Sequence, residues 1–178
     1  MTDHDTEVIA ERVITRAAAL GVRVAAAESL TGGLISAALV SVPGASKVFA
    51  GGVVAYDTGL KATLLGVDRA LLDDRGPVDA EVARQMALGA RHACTAQFHD
   101  RDAPAVGFGV SSTGVAGPDP DPQSGIAAGE VWIGVSSHRG ERAVRLELAG
   151  QSREGIRVAS VRAALELLLD EIESETEN

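Results

Sequence analysis

Between residues 22 and 42 the chain passes from one largely apolar run, 22–27, to another, 34–42, through Glu28-Ser29-Leu30-Thr31-Gly32-Gly33. The first run is too short for a stable helix and long enough for a buried strand. The second has the length of a helix and stops at Pro43-Gly44. A buried strand that turns directly into a helix through paired glycines points to an α/β protein, in which ligands bind at the carboxyl ends of strands. Backbone N–H groups at such a turn have no intrahelical partner and carry partial positive charge, so they can hold a phosphate or the oxyanion of an acyl-transfer intermediate. Ser29 then has two readings. From this stretch alone the commoner one is a helix N-cap, and the other is a nucleophile.

The remaining segments extend the α/β pattern. Ile9, Val13, Ala17 and Leu20 predict an amphipathic helix over 7–20, and 48–56 reads as a second strand whose Gly51-Gly52 pair allows close backbone approach. Asp57 can cap a short helix carrying Lys61, Leu64 and Leu65, with another short helix over 68–74. From Pro77 and Asp79 a long helix is expected, with Val82, Met86, Ala90, Ala93 and Gln97 on one small, apolar face. A third strand, 105–112, ends in the turn Thr113-Gly114-Val115-Ala116-Gly117-Pro118, and 119–129 reads as a loop or lid. Strands at 131–137 and 142–148 flank a hairpin turn, and a closing helix over 152–172 carries an unusually wide apolar stripe. The order predicts a single domain, a three-layer α/β/α sandwich with a mixed sheet, its ordered core about 7–172 and its acidic ends flexible. The wide stripe of the last helix makes a homodimer or higher homo-oligomer a reasonable expectation.

Composition narrows the partners. With 16 basic and 25 acidic residues, the chain has a formal charge of −9 and no basic stripe with interleaved aromatics, so nucleic acid is not an expected partner. Cys94 is the only cysteine, which excludes an internal disulfide and a cysteine-cluster metal site. His4, His92, His99 and His138 do not form a ligand set, and neither a metal nor another cofactor is expected. No apolar run approaches the roughly 18 residues of a membrane span and no signal peptide opens the chain, so no membrane association and a cytoplasmic location are expected. Lone Trp132 reads as core packing.

Several separated motifs, in one order, resemble the CinA C-terminal domain family. They are Ala27-Glu28-Ser29-Leu30-Thr31-Gly32-Gly33, the Pro43-Gly44-Ala45-Ser46 turn with Phe49 and Gly52, and Tyr56 five residues before Lys61. Leu65-Gly66-Val67, Thr113-Gly114-Val115-Ala116-Gly117-Pro118, Gly129, Val131-Trp132, and Gly150 with Arg153 and Arg157 extend the match. Stand-alone members of that family include nicotinamide mononucleotide deamidases, and the separate N-terminal domain of longer members has no counterpart in these motifs. The resemblance implies hydrolysis of the carboxamide of nicotinamide mononucleotide to nicotinic acid mononucleotide and ammonia.

Such a reaction needs a nucleophile, a base and an oxyanion site. Ser29 is the candidate nucleophile, the N–H groups of Thr31, Gly32 and Gly33 the candidate oxyanion donors, and Lys61 or Tyr56 the base, with Ser46 a relay between Ser29 and Lys61. Thr113 and Gly114 would line the nicotinamide or ribose site, and Arg153 could pair with the 5′-phosphate. A free lysine titrates near ~10.4, so a neutral amine at pH 7 costs about 4 to 5 kcal/mol unless burial lowers its pKa; a phenol starts from nearly the same point. Glu28 is either an acid or a structural carboxylate binding nearby N–H groups. The chain departs from the family pattern at Leu30, where many members have Cys, at Asp57-Thr58, at Asp79, and at Ile126-Ala127-Ala128-Gly129-Glu130, which lacks a lysine. A catalytically inactive nucleotide-binding or scaffold module of the same fold is the alternative, and an amidase for another small amide is a third reading.

Overall fold

The computed structural model describes residues 4–95 and 105–175. Its centre is β1 (Arg23–Glu28), buried from Val24 onward. Successive side chains of a strand point to opposite faces, and in β1 both faces are covered. Val24 and Ala26 join a core with α1 (His4–Leu20), α2 (Leu34–Val40) and α6 (Arg153–Glu173), while Ala25 and Ala27 join a second core with α3 (Thr58–Leu65), α4 (Arg69–Arg75) and α5 (Ala80–Ala93). This is why the strand reads as a continuous run of small apolar residues rather than an alternation.

β2 (Phe49–Val54), β3 (Val106–Gly114), β4 (Glu130–Ser137) and β5 (Gly140–Glu147) complete a five-stranded sheet in the order β2-β1-β3-β4-β5. β1 is parallel to both β2 and β3, pairing Ala27 with Val53 and with Ser111, whereas β3, β4 and β5 are antiparallel. The fold is therefore the expected three-layer α/β/α sandwich with a mixed sheet. The chain leaves β1 for α2 on one face and β2 for α3, α4 and α5 on the other. Such a reversal at the carboxyl edge of parallel strands opens a crevice there.

The boundaries shift in places for identifiable reasons. Gly32 and Gly33 have φ of 60° and 97°, a left-handed conformation, so α2 starts only at Leu34, where the second apolar run begins. Asp57, Asp68, Asp79 and Ser152 cap α3, α4, α5 and α6 through side-chain oxygens, as their positions in the sequence suggest. The β4–β5 turn closes on His138 and Arg139, tighter than the expected four-residue loop. Trp132 is half-buried on β4, not a core residue. Gln97, His99 and the outermost acidic residues lie outside the described residues.

The wide stripe on α6 is covered from within the chain. Ile156, Val161, Leu165, Leu168 and Ile172 are buried in one core with Val13 and Ile14 of α1 and with Val135 of the sheet. That face leaves no reason to expect a second subunit on it. No helix among the described residues is long and apolar enough to cross a membrane.

Helix α5 lies unusually close to the sheet. A Cβ at Gly109 would overlap the Ala87 carbonyl, and one at Gly134 the Ala83 carbonyl. Backbone cannot swing away as a flexible side chain can. Gly109→Ala is expected to destabilise the protein by about 3 kcal/mol, the upper part of the range for overpacking, read as a lowered urea midpoint with unchanged slope.

Candidate active site

Glu28, the last residue of β1, is fully buried and organises the turn that follows. Its Oε2 accepts hydrogen bonds from Gly33 N–H (2.9 Å), Ile35 N–H (3.0 Å) and Thr31 Oγ1 (2.8 Å). Its Oε1 accepts from Ser36 N–H (2.8 Å) and Ser36 Oγ (2.7 Å). A carboxylate at the start of α2 satisfies donors that have no helical acceptor and complements the helix dipole. Glu28 thus fills the capping role from the end of the strand, and it is the structural carboxylate of the two readings. Ser29 is freed from that role.

The Ser29 hydroxyl points to Lys61 instead. Lys61 Nζ donates to Ser29 Oγ at 3.0 Å and to the Ala55 carbonyl at 2.8 Å. Lys61 is 1% exposed, on α3, whose N-terminus Asp57 caps. Burial disfavours its ammonium form and lowers the pKa to about 8, with Asp57 and Asp121 partly offsetting that effect. At pH 7 such an amine is neutral in about a tenth of the molecules, against well under about a thousandth for a free lysine.

A 450 Å³ cavity opens over this pair, lined by Ser29, Leu30, Tyr56, Asp57, Lys61, Pro77, Thr113, Gly114, the 115–122 loop and Arg153. The converging strands explain the membership: Ser29 follows β1, Tyr56 follows β2, and Thr113 and Gly114 end β3. Thr113 is buried and its hydroxyl donates to the Pro77 carbonyl (2.6 Å), so it builds the wall and ties β3 to the segment before α5. The Gly114 backbone is pressed against Glu130 and Val131, leaving no room for a side chain. At the mouth, Arg153 donates to Tyr56 Oη (3.2 Å) and to the Gly117 carbonyl. Tyr56 is 62% exposed and its hydroxyl pairs with Arg153, whereas the Ser29 hydroxyl pairs with Lys61.

Two site expectations need correction. Ser46 is exposed in the 3-10 turn Ala45–Lys47, before β2, and Val48 just after it pairs with Val24 at the start of β1. Ser29 follows the far end of β1, about 15 Å away at the rise of a strand, so Ser46 relays nothing between Ser29 and Lys61. The oxyanion donors also differ. Gly32 N–H donates to the Ser29 carbonyl (3.0 Å) and Gly33 N–H to Glu28, while Thr31 is buried with its hydroxyl on Glu28 and on Ser112 Oγ (2.7 Å). Thr31, Gly32 and Gly33 do not line the cavity. The N–H groups of Leu30 and Thr31 are the two in the turn that donate to no acceptor among the described residues.

Arg157, one helical turn beyond Arg153, also reaches the turn. Its Nε donates to the Leu30 carbonyl (2.9 Å) and its Nη2 to the Thr31 carbonyl (3.0 Å). The sequence signal for it was the i, i+4 spacing of the two arginines at the start of α6, which places both on one face.

Other candidate centres are less equipped. A 640 Å³ cavity beside α5 contains Glu81, Arg84, Gln85 and His92 but no serine, threonine, cysteine or lysine, and Arg84 is paired with Glu81 at 2.7 Å. Among the described residues no three His, Cys, Asp or Glu side chains are placed to hold a metal ion. His138 pairs with Glu175 (2.7 Å).

The comparisons with known proteins agree with this architecture. The family model described as the CinA C-terminal domain matches residues 6–172. A CinA-like protein of Frankia casuarinae is 39% identical over 156 residues, 88% of this chain and 32% of that protein. One from Gloeobacter violaceus is 40% identical over 156 residues, 85% of this chain and 33% of that protein. The chain thus spans about a third of the length of these curated relatives. The crystal structure of the Agrobacterium tumefaciens competence/damage inducible protein superposes with a TM-score of 0.84 at 34% identity, covering 96% of this chain and 97% of that one. A CinA superfamily protein from Escherichia coli gives 0.82 at 28% identity, covering 95% and 92%. With a family match over almost its whole length and the same fold in a relative of its own size, the chain belongs to the CinA C-terminal domain family.

Proposed function

We propose that the protein is an amidohydrolase that converts nicotinamide mononucleotide to nicotinic acid mononucleotide and ammonia. The observation that carries this reading is the buried Lys61 Nζ at 3.0 Å from Ser29 Oγ, with its pKa lowered to about 8, at the floor of a cavity. Serine–lysine pairs can perform acyl transfer without histidine when the amine is available in its neutral form.

In this mechanism neutral Lys61 takes the Ser29 proton as Oγ attacks the carboxamide carbon. The oxyanion is received by the uncommitted N–H of Leu30, the residue after the nucleophile, which lines the cavity. Collapse breaks the C–N bond, the Lys61 ammonium returns the proton to the leaving amine, and ammonia departs. Water, deprotonated by Lys61, then hydrolyses the Ser29 ester. Arg153 at the mouth would leave its Tyr56 and Gly117 partners for the 5′-phosphate, an exchange favoured by bidentate geometry. Lys61 relays every proton in this scheme: the Ser29 proton leaves with ammonia, and the proton taken from water returns to Ser29 as the ester is cleaved.

Incubation with nicotinamide mononucleotide is expected to release ammonia in proportion to enzyme, above the background of a Ser29→Ala control. Tight binding of the nucleotide by calorimetry with no product formed would replace the amidase by a nucleotide-binding module.

A further inference from the structure

The turn that carries Ser29 is held from two sides by opposite charges. Glu28 binds its donors, the N–H groups of Gly33, Ile35 and Ser36; Arg157 binds its acceptors, the carbonyls of Leu30 and Thr31. Because a trans peptide is planar, with C=O and N–H pointing in opposite directions, fixing a carbonyl also aims the next residue's N–H. Arg157 on the Leu30 carbonyl fixes the plane of Thr31 N–H. Arg157 on the Thr31 carbonyl fixes the plane of Gly32 N–H, which donates to the Ser29 carbonyl and so fixes the plane of Leu30 N–H. One guanidinium therefore sets both N–H groups of the turn that have no internal acceptor.

We propose that Arg157 is a positioning residue for the oxyanion site, orienting the Leu30 amide, which lines the cavity, against the negative charge that develops beside Ser29. The inference rests on the reading of Ser29 as an acyl-transfer nucleophile. Arg157 contacts main chain, so it acts through that amide. A flat fork of donors suits two carbonyls of one turn, and the single ammonium of a lysine does not reproduce it. The rigid hold also supplies what electrostatic catalysis requires, donors already in place before charge appears.

The test uses the full chain with Arg157→Lys and Arg157→Ala, each checked by thermal melting. Two rates are read: ammonia release from nicotinamide mononucleotide, and phosphonylation of Ser29 by a fluorophosphonate. In the second reaction the Oγ–P bond forms, the P–F bond breaks, fluoride leaves and Lys61 takes the proton, while the P–O group occupies the oxyanion position. Arg157→Lys is expected to lower kcat about 100-fold with KM within about threefold, the size of losing an oxyanion donor, and to slow phosphonylation comparably. Its pH midpoint should stay with Lys61, near 8. Added guanidinium should restore part of the Arg157→Ala rate, which a role in folding alone would not predict.

If ammonia is released normally and both variants keep kcat within about threefold of the wild type, the positioning role is overturned and the amidase stands. If the wild type releases no ammonia yet its Ser29 is phosphonylated, and Arg157→Lys slows that step, the amidase reading fails and the positioning role stands. A variant whose loss appears in KM alone, or a wild type inert to both reagents, overturns the proposal. Should Arg157→Ala fail to fold, Arg157→Lys carries the same readings.

Discussion

Lys61→Met is expected to lower kcat by about 10³ to 10⁴ and to leave the folded protein no less stable at pH 7. The two effects have one cause. Lys61 is 1% exposed, and its amine titrates near 8 and not at 10.5 because burial penalises the ammonium. Below pH 8 the group is protonated in both folded and unfolded chains, so the folded state bears a penalty of roughly 3 kcal/mol in full. Between about 8 and 10.5 the folded state has lost the proton while the unfolded state still holds it. The penalty is relieved there and stability rises with pH. Methionine fills nearly the same volume without charge. It removes the penalty but leaves the Ala55 carbonyl without its donor, at about 1 to 3 kcal/mol, so the terms nearly cancel or favour the variant. Melts at pH 7 and 9.5 should show a Lys61-dependent gain in the wild type that Lys61→Met lacks. A Lys61→Met protein that unfolds several degrees lower at pH 7 would mean that the charge is stabilising in place, contrary to this account.

The same shift fixes the pH dependence of activity. Only the neutral amine can accept the Ser29 proton, so kcat/KM should rise about tenfold per pH unit below pH 8 and level off above it. An ordinary lysine would keep climbing past pH 10. Asp57 and Asp121 set where the limb falls, because each carboxylate favours the ammonium and restrains the lowering caused by burial. Trading that restraint for a lower midpoint would strengthen activity at neutral pH and weaken the amine as a base. The midpoint near 8 leaves an amine basic enough to capture the serine proton and abundant enough to act.

What could be read in the sequence was local or followed from parity. The strand-turn-helix at residues 22–42, the cap at Asp57 and the helix starts near Asp68, Asp79 and Ser152 follow from patterns within a few residues, and the mixed sheet follows from the order of the elements. The meeting of Ser29 with Lys61 was expected from the family motifs, and the parallel pairing of β1 and β2 supplies its physical basis: both residues leave the same sheet edge. Ser46 was misplaced because motif order carries no information about which end of a strand a turn occupies. The capping of α2 by Glu28 was legible only as an alternative, since a residue six positions before the helix acts as its cap here. Arg157 could be matched but not interpreted, because its contact closes a loop of more than a hundred residues and depends on where α6 crosses the turn.

Glu28 is the residue whose loss should cost the fold most. Five donors converge on its two oxygens around a fully buried carboxylate, and only the Thr31 hydroxyl has a second partner, Ser112 Oγ. Hydrogen bonds to a charged group contribute about 1.5 to 3 kcal/mol each, and an orphaned buried donor costs about 1 to 3. Glu28→Gln keeps shape and one oxygen. Its amide NH2 is best accommodated at Ser36, whose hydroxyl can rotate to accept, so that Ser36 N–H alone is orphaned and Gly33, Ile35 and Thr31 keep their acceptor. The expected loss is about 3 kcal/mol in urea unfolding, with a further fall in kcat because the slackened turn carries the Leu30 amide. Glu28→Ala removes every acceptor and leaves a cavity, an expected loss of about 5 kcal/mol, comparable with the whole stability of an ordinary domain. That variant should accumulate as unfolded or insoluble protein. Glu28→Asp separates charge from reach: it keeps the carboxylate but withdraws it by one methylene, so it should resemble Glu28→Gln in stability if distance governs the site and the wild type if net charge does. A loss under about 1 kcal/mol for Glu28→Gln would show that the donors find other acceptors, and the turn under Ser29 would then owe its shape to Arg157 and the two glycines alone.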